Sequence, residues 1–184
     1  YAWGTSSRSS KMVHGGLRYL AQGDVSLTKH SLHERERLLV ELPHMVVRFP
    51  YIFPIRQGDF PGRIAMTAVL TMYDKLAGMS DHNWLSRDKL LQQYPILNAE
   101  GLKGGMRYTD ALVDDARLVL RVLHEAVLEG GTANNYSQVN AVNPTSTGFN
   151  LTVKDTISGE EVEFKAKQVT NATGAWADIL SATD

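Results

Sequence analysis

The sequence predicts a mixed α/β fold (α+β overall), and two features of its 184 residues predict it. Segments with helical periodicity alternate with short β-favouring segments, which is the pattern of helices packed on a sheet. The composition is that of an ordinary globular protein, with 43% hydrophobic and 21% charged residues. Because 19 Lys plus Arg balance 20 Asp plus Glu, general nucleic-acid binding is not expected. The absence of cysteine excludes disulfides and thiolate chemistry.

The first half of the chain predicts helices on either side of one strand. The elements expected, in order, are a Gly/Ser-rich loop and short helix (1–20), a helix (25–42) that Pro43 ends, a strand (45–56), a helix from Pro61 to Leu76, and a polar loop with a short helix begun by Ser86 (79–100). Two prolines favour an edge position for the strand. In the helix over 25–42, Leu32, Leu39 and Leu42 share one face, and the run from His33 to Arg37 is predicted to be solvated. His30 and His33 lack an evident third ligand, so no metal site is predicted.

The second half predicts alternating strands and helices. The expected elements are a strand (103–109), a helix capped by Asp114 and ended by Gly130-Gly131, a strand (133–142), a hairpin (148–154 with 161–167), a strand into a glycine turn (169–174) and a final helix (175–180). This order is typical of part of a nucleotide-binding α/β layer. No G-x-G-x-x-G motif, which supplies the pyrophosphate turn in such layers, occurs in the sequence. With Tyr1 rather than Met first, we expect the chain to be a piece of a larger protein.

The segment from Gly4 to Leu20 contains the chemistry-bearing candidates. Ser9, Ser10 and Lys11 offer two hydroxyls and a cation to an anion, and Gly15-Gly16 allows the backbone to approach a flat ring closely. The remaining candidates are side chains that can donate, titrate or bind an anion: His14, Arg18 and Tyr19. From composition alone, a surface loop with a capped helix and a solvated Arg18 is the simpler interpretation.

The identity of this segment favours a ligand-binding role over a plain surface loop. Ser9 to Leu20 reads Ser-Ser-Lys-Met-Val-His-Gly-Gly-Leu-Arg-Tyr-Leu, which closely resembles the flavin-contacting segment of FAD-dependent glycerol-3-phosphate dehydrogenases. Further stretches resemble that family in the same order. They are Tyr108-Thr109-Asp110 with Asp114 to Val119, Asn135-Tyr136 with Val139, and Asn171-Ala172-Thr173-Gly174-Ala175-Trp176-Ala177-Asp178.

The resemblance implies a set of site residues and a domain layout. The FAD-lining residues would be Ser9, Ser10, Lys11, His14, Gly15, Gly16, Val139, Thr173 and Gly174. Arg18 and Tyr19 would face the substrate, and His14 would tune the flavin or assist proton transfer. It also implies an incomplete, Rossmann-like FAD-binding domain formed by residues 1–43 and 108–184, with a substrate-binding or cap segment over 44–107.

The implied activity is oxidation of glycerol 3-phosphate to dihydroxyacetone phosphate by hydride transfer to FAD, with electrons passed to a quinone. The implied location is the cytoplasm or the inner face of the cytoplasmic membrane. We expect the isolated 184 residues to be inactive and to bind little FAD, because the pyrophosphate turn is missing. Three alternatives remain open: an oxygen-using oxidase of the same family, an amino-acid-oxidase-like flavoenzyme, and a non-catalytic interaction module.

Overall fold

A computed structural model describes residues 1–178, which form parts of two compact units, Tyr1–Val122 and Leu123–Asp184. The mixed class is confirmed, since helices accompany two antiparallel sheets. Within residues 1–178, none of the helices has the length and apolar character required to cross a bilayer. The assignment of 1–43 with 108–184 to a FAD-binding domain, and of 44–107 to a cap, stays a prediction.

The first unit is built on the long strand β4 (Leu102–Val113). Strand β2 (Val46–Arg56) pairs antiparallel along one edge of β4, and β1 (Met12–Val13) and β3 (Asn83–Ser86) pair with its other edge. The predicted edge position of β2 is confirmed, as its two prolines require. Strands β1 and β3 were not predicted, because they are too short to show a periodic pattern.

Five helices follow the predicted order. They are α1 (Leu17–Ala21), α2 (Val25–Glu41), α3 (Arg63–Leu76), α4 (Arg87–Gln93) and α5 (Asp115–Leu128). The Asp24 carboxylate caps α2 by accepting from the Leu27 amide at 2.9 Å. Asp114 does the same for α5, accepting from the Arg117 amide at 3.1 Å, which confirms the predicted cap.

The core of the first unit lies where α2 and α3 meet the sheet. One buried cluster joins α3 to the sheet through Met66, Leu70, Ile55 and Met106. A second joins Leu20 of α1, Leu32 of α2 and Tyr73 of α3. Helix α1 is therefore fixed to two longer helices although it has only five residues.

The second unit contains a three-stranded antiparallel sheet. Its strands, in spatial and sequence order, are β5 (Ser137–Thr145), β6 (Gly148–Asp155) and β7 (Glu161–Ala166). The predicted hairpin is confirmed, whereas β5 begins four residues later than predicted and extends to Thr145.

The predicted strand over 169–174 is wrong. Residues 169–173 are irregular, and Gly174–Trp176 forms a 3-10 turn. Among the described residues no neighbouring strand pairs with this segment, and an unpaired strand leaves its backbone groups unsatisfied. The predicted final helix over 175–180 lies partly outside the described residues, which end at 178.

Candidate active site

An open cavity of about 590 Å³ lies in the first unit, against the segment that leads from β1 into α1. Four sequence-predicted residues line it: Ser10, His14, Arg18 and Tyr19. The other lining residues are mainly apolar or aromatic: Met12, Leu17, Ala21, Phe53, Pro61, Met66, Val69, Tyr108 and Asp110. Its size and its lining, an apolar wall with a few convergent polar groups, are typical of small-molecule sites.

Two glycines shape the turn that leads into this cavity wall. A Cβ on Gly15 would lie 2.1 Å from Leu32 Cδ2 and 2.4 Å from the Tyr73 hydroxyl, so no side chain fits there. Gly16 adopts a left-handed φ of 78° as the N-cap of α1, a conformation that glycine adopts without a steric penalty. Packing and backbone conformation therefore require glycine at both positions, independently of any ligand.

The turn also orients the His14 ring. The Gly16 amide donates to His14 Nδ1 at 3.1 Å. This bond needs an unprotonated Nδ1, so the proton of the neutral ring is on Nε2. His14 and Tyr19 lie side by side, with ring centroids 6.4 Å apart.

Helix α1 presents Arg18 and Tyr19 to the cavity while its apolar residues hold it in place. Leu20 is buried and Leu17 packs against two core clusters. Arg18 is exposed, and no described residue accepts a hydrogen bond from its guanidinium. Arg18 is therefore available to an anionic ligand, which a guanidinium binds through paired N–H donors.

The buried carboxylate of Asp110 holds the turn at Gly15 by accepting a hydrogen bond from its amide. Asp110 Oδ1 accepts from the Gly15 amide at 3.1 Å, from Arg35 Nη1 at 2.7 Å and from the Tyr73 hydroxyl at 2.8 Å. The Gly15 amide also donates to the Tyr73 hydroxyl at 2.8 Å. We call Gly15, Arg35, Tyr73 and Asp110 the Asp110 cluster. It joins α2, α3 and β4 to the turn that leads into α1.

Arg35 corrects the predicted solvated face of α2, because its side chain is 0% exposed. Its donors bond to Asp110, the Thr109 carbonyl, Glu36 and Met79 Sδ, so the guanidinium is satisfied inside the protein. Burial lowers the pKa of Arg35, but the hydrogen bonds to Asp110 and Glu36 more than offset it and leave that pKa raised. Arg35 therefore stays charged and neutralises Asp110.

Burial also keeps the nearby phenols protonated. It raises the pKa of Tyr73 far above its usual value, and the negative charge of Asp110 raises it further. Burial and the same carboxylate raise the pKa of Tyr108, which lines the cavity, to about 12. Both phenols are hydrogen-bond donors at neutral pH.

Two of the predicted cofactor residues bind the N-terminus of α5. Lys11 Nζ pairs with Asp115 Oδ1, and Ser9 Oγ donates to Asp115 Oδ2 at 2.7 Å. These hydrogen bonds from Lys11 and Ser9 lower the pKa of Asp115 to about 2. Of the three candidates from Ser9 to Lys11, only Ser10 lines the cavity.

The remaining predicted cofactor residues belong to the second unit. Val139 lies in β5 opposite Val153, beside a register shift. Asn171 Oδ1 accepts from the Thr173 amide at 3.2 Å and from its hydroxyl at 2.7 Å, and Gly174 follows with a φ of 65°. The predicted glycine turn is thus present at Gly174.

Sequence reasoning gave no role to Asp110, Tyr73 or Arg35. One signal could have identified Arg35: the buried residues Thr28, Leu32 and Arg35 follow one another at intervals of four and three, which places them on one helix face. For Asp110, the resemblance included the residue without its role. Only the fold brings these three side chains to Gly15.

The comparisons with known proteins cover the whole chain. A sequence model of the family described as FAD dependent oxidoreductase matches residues 1–184. The aerobic glycerol-3-phosphate dehydrogenase of Bacillus subtilis (strain 168) is 36% identical over 188 residues, which cover 100% of this chain and 34% of that protein. The enzyme of the same name from Staphylococcus epidermidis is 36% identical over 189 residues, with the same two coverages of 100% and 34%.

A solved structure gives the same result. The glycerol-3-phosphate dehydrogenase of Bacillus halodurans, crystallised in complex with FAD, matches with a TM-score of 0.72 and 28% identity. The match covers 100% of this chain and 29% of that one. The chain thus spans about a third of the length of the curated relatives that it matches.

Proposed function

Because the chain belongs to the FAD dependent oxidoreductase family, we propose that the natural polypeptide containing it oxidises glycerol 3-phosphate to dihydroxyacetone phosphate. The observation that supports this most is the cavity formed around His14, Arg18 and Tyr19. These residues belong to the segment that resembles glycerol-3-phosphate dehydrogenases, and relatives of that name align with the entire chain.

The cavity has the chemistry that a flavin ring and a small phosphorylated alcohol require. Its apolar lining residues, with Leu17 and Met66 among them, suit one face of a flat ring, and Ser10, Tyr19 and Tyr108 add hydroxyl-bearing side chains to the lining. We propose that Ser10, His14, Gly15 and Gly16 line the flavin. Ser9 and Lys11 contribute by holding this segment to Asp115. Val139 presents its backbone to the adenine, and Thr173 and Gly174 turn near the ribose and pyrophosphate. Bound FAD supplies the two-electron acceptor for the hydride that leaves C2 of the substrate.

Arg18 carries the substrate-binding role in this proposal. Its exposed guanidinium lines the cavity without a partner among the described residues, so it can bind the substrate's phosphate or stabilise the developing C2 oxyanion. Tyr19, the next residue in α1, orients the substrate by hydrogen bonding. The two roles for Arg18 predict different kinetics and are separated below.

His14 acts as a hydrogen-bond donor in the proposed site. Its Nδ1 accepts from the Gly16 amide, so the neutral ring offers Nε2–H to the cavity. A donor there can stabilise negative charge on the C2 oxygen. Accepting the hydroxyl proton would require the other tautomer of His14, so in this proposal that proton passes to water in the open cavity. Among the described residues, this geometry favours His14 as an electrophilic group over a role as general base.

We propose a quinone as the final electron acceptor and a location in the cytoplasm or at the inner face of the cytoplasmic membrane. The test is turnover of glycerol 3-phosphate by the FAD-loaded natural polypeptide, followed with a short-chain quinone and, separately, by oxygen uptake. Quinone reduction without peroxide supports the proposal, whereas peroxide formation indicates an oxidase. Turnover of amino acids instead of glycerol 3-phosphate, or no turnover at all, would contradict it.

A polypeptide restricted to residues 1–184 is proposed to be inactive and to bind little FAD. Its sequence has no G-x-G-x-x-G turn, and a helix N-terminus with such a turn normally supplies the pyrophosphate site. Absorbance at flavin wavelengths after gel filtration with excess FAD measures this. A yellow, active preparation would show that the 184 residues suffice.

A further inference from the structure

Burying the charged side chains of the Asp110 cluster costs free energy, and a gain in stability is not a sufficient reason for placing them there. Arg35 and Asp110 are 0% and 1% exposed, and removing two charges from water is expensive. Well-packed apolar side chains of similar volume often stabilise a fold equally well or better. The pair is therefore weak evidence for a stabilising role, and its contacts near the cavity are the observations from which a different role can be argued.

The cluster is satisfied internally and contacts one functional segment. Arg35 bonds to Asp110, Glu36, the Thr109 carbonyl and Met79 Sδ, which leaves the guanidinium no role toward a ligand. Two members of the cluster lie next to the cavity. Asp110 lines it, and the Gly15 amide, in the turn between His14 and α1, donates to Asp110 at 3.1 Å and to the Tyr73 hydroxyl at 2.8 Å.

A small rotation of the Gly15 peptide plane would move the His14 ring and helix α1, which both line the cavity. His14 precedes it, and Gly16 follows as the N-cap of α1, which presents Arg18 and Tyr19. Gly15 has no side chain to fix its peptide plane, and any Cβ is excluded by Leu32 and Tyr73. The Gly15 peptide is therefore held by the hydrogen bonds of its amide to Asp110 and to the Tyr73 hydroxyl, since no side chain at position 15 can hold it.

We propose that Asp110, whose charge Arg35 neutralises, and Tyr73, whose hydroxyl donates to Asp110, are positioning residues that fix the Gly15 amide and thereby hold His14 and Arg18 toward the cavity. This inference rests on the proposed function for its kinetic consequence. Its structural consequence, a rigid turn over residues 14–18, is independent of any reaction.

The test compares Tyr73→Phe with Tyr51→Phe in the FAD-loaded natural polypeptide. Tyr73→Phe removes one acceptor from the Gly15 amide and keeps the ring that packs against Leu20 and Leu32. Tyr51→Phe is the matched control, because it removes a buried hydroxyl that has no hydrogen-bond partner among residues 1–178. Both variants are assayed at a temperature at which circular dichroism shows each to be folded.

We expect Tyr73→Phe to lower kcat by about tenfold or more with a smaller change in KM, because misaligned groups lose more in the transition state than in the bound substrate. Peptides containing Gly15 should exchange their amide hydrogens about tenfold faster than in the wild type. Tyr51→Phe should match the wild type in both measurements. Wild-type kcat and exchange in Tyr73→Phe, or equal losses in Tyr51→Phe, would overturn the proposal.

If Tyr73→Phe does not fold, hydrogen exchange of the wild type tests the positioning role. A Gly15 amide protected to the same degree as central amides of β4 supports the positioning role, and rapid exchange contradicts it.

Hydrogen exchange also separates the positioning role from the proposed function. A wild type that does not oxidise glycerol 3-phosphate refutes the proposed function, while protection at Gly15 still reports on the Asp110 cluster.

Discussion

At the scale of single residues, the proposed chemistry depends most on Arg18. It is the cation that lines the cavity, and nothing in residues 1–178 neutralises it. Its neighbour in the sequence, Leu17, is partly buried against two core clusters, so packing holds the α1 backbone that carries Arg18. A free guanidinium on a rigid backbone is preorganised for a phosphate or an oxyanion.

Arg18→Lys in the natural polypeptide should lower kcat/KM for glycerol 3-phosphate by well over tenfold, because lysine lacks the planar fork of N–H donors. A loss mainly in KM would indicate phosphate binding, and a loss mainly in kcat would indicate oxyanion stabilisation. Arg37→Lys is the matched control, since Arg37 is exposed on α2 and pairs with Glu41. Wild-type steady-state kinetics in Arg18→Lys would remove Arg18 from the site.

Gly15→Ala should destabilise the first unit by about 1–3 kcal/mol, the usual cost of overpacking a core. The new methyl group would overlap Leu32 and the Tyr73 hydroxyl, and both are buried. Denaturant unfolding followed by circular dichroism measures the change. Gly62→Ala is the control, because within residues 1–178 a Cβ there meets only the Asp59 carbonyl at 3.8 Å, so it adds no overpacking. Alanine is a poorer N-cap than glycine, and this change should cost about 1 kcal/mol or less. Equal stability of Gly15→Ala and wild type would refute the steric argument.

At the scale of elements, the sequence predicts helices better than it predicts what they bury. Helix α2 begins and ends within a residue of the prediction, because Asp24 and Pro43 act locally. The burial of Arg35 could not be expected from charge patterning, since its partner Asp110 is 75 residues away in the sequence. The predicted strand over 169–174 failed for a related reason: strand formation depends on a pairing partner that local sequence does not reveal.

The candidate site was predictable to the extent that it is continuous in sequence. Ser10, His14, Arg18 and Tyr19 line one cavity because a turn and a short helix hold them together. The groups behind the turn come from α2, α3 and β4, and only the tertiary structure assembles them.

The stability contributed by the contacts of Lys11 and Ser9 with Asp115, which join the segment before β1 to α5, should depend on pH in the acid range. The folded pKa of Asp115, about 2, lies below its ordinary value of 3.8, so the unfolded state binds more protons between these two pH values. The stabilisation is therefore complete above about pH 4 and is lost as the pH falls toward 2. Lys11→Met should reduce this dependence, because it removes the cation that holds the carboxylate ionised.

The measurement for this junction is the free energy of unfolding of the first unit as a function of pH. Lys29→Met, which removes an exposed lysine on α2, should leave the profile unchanged and serves as the control. An identical acid profile for Lys11→Met and wild type would mean that Lys11 does not hold Asp115 ionised.

At the scale of the whole molecule, the proposed site residues are divided between the two units. The first unit contains the cavity with the candidates Ser10, His14, Arg18 and Tyr19. In the second unit, Val139 lies on β5 of the antiparallel sheet, and Thr173 and Gly174 lie in the turn that follows it. Family membership is shown over residues 1–184, although the chain spans only about a third of its curated relatives. Activity is therefore proposed for the natural polypeptide that contains these residues.

Anaerobic reduction of the FAD-loaded natural polypeptide by glycerol 3-phosphate tests the proposed reaction directly. We expect the substrate to bleach the flavin absorbance of the wild type within seconds, without any added electron acceptor. Arg18→Lys should be bleached at least about tenfold more slowly at the same substrate concentration. A wild type that binds FAD and keeps its absorbance unchanged in saturating glycerol 3-phosphate would refute oxidation of this substrate by the flavin.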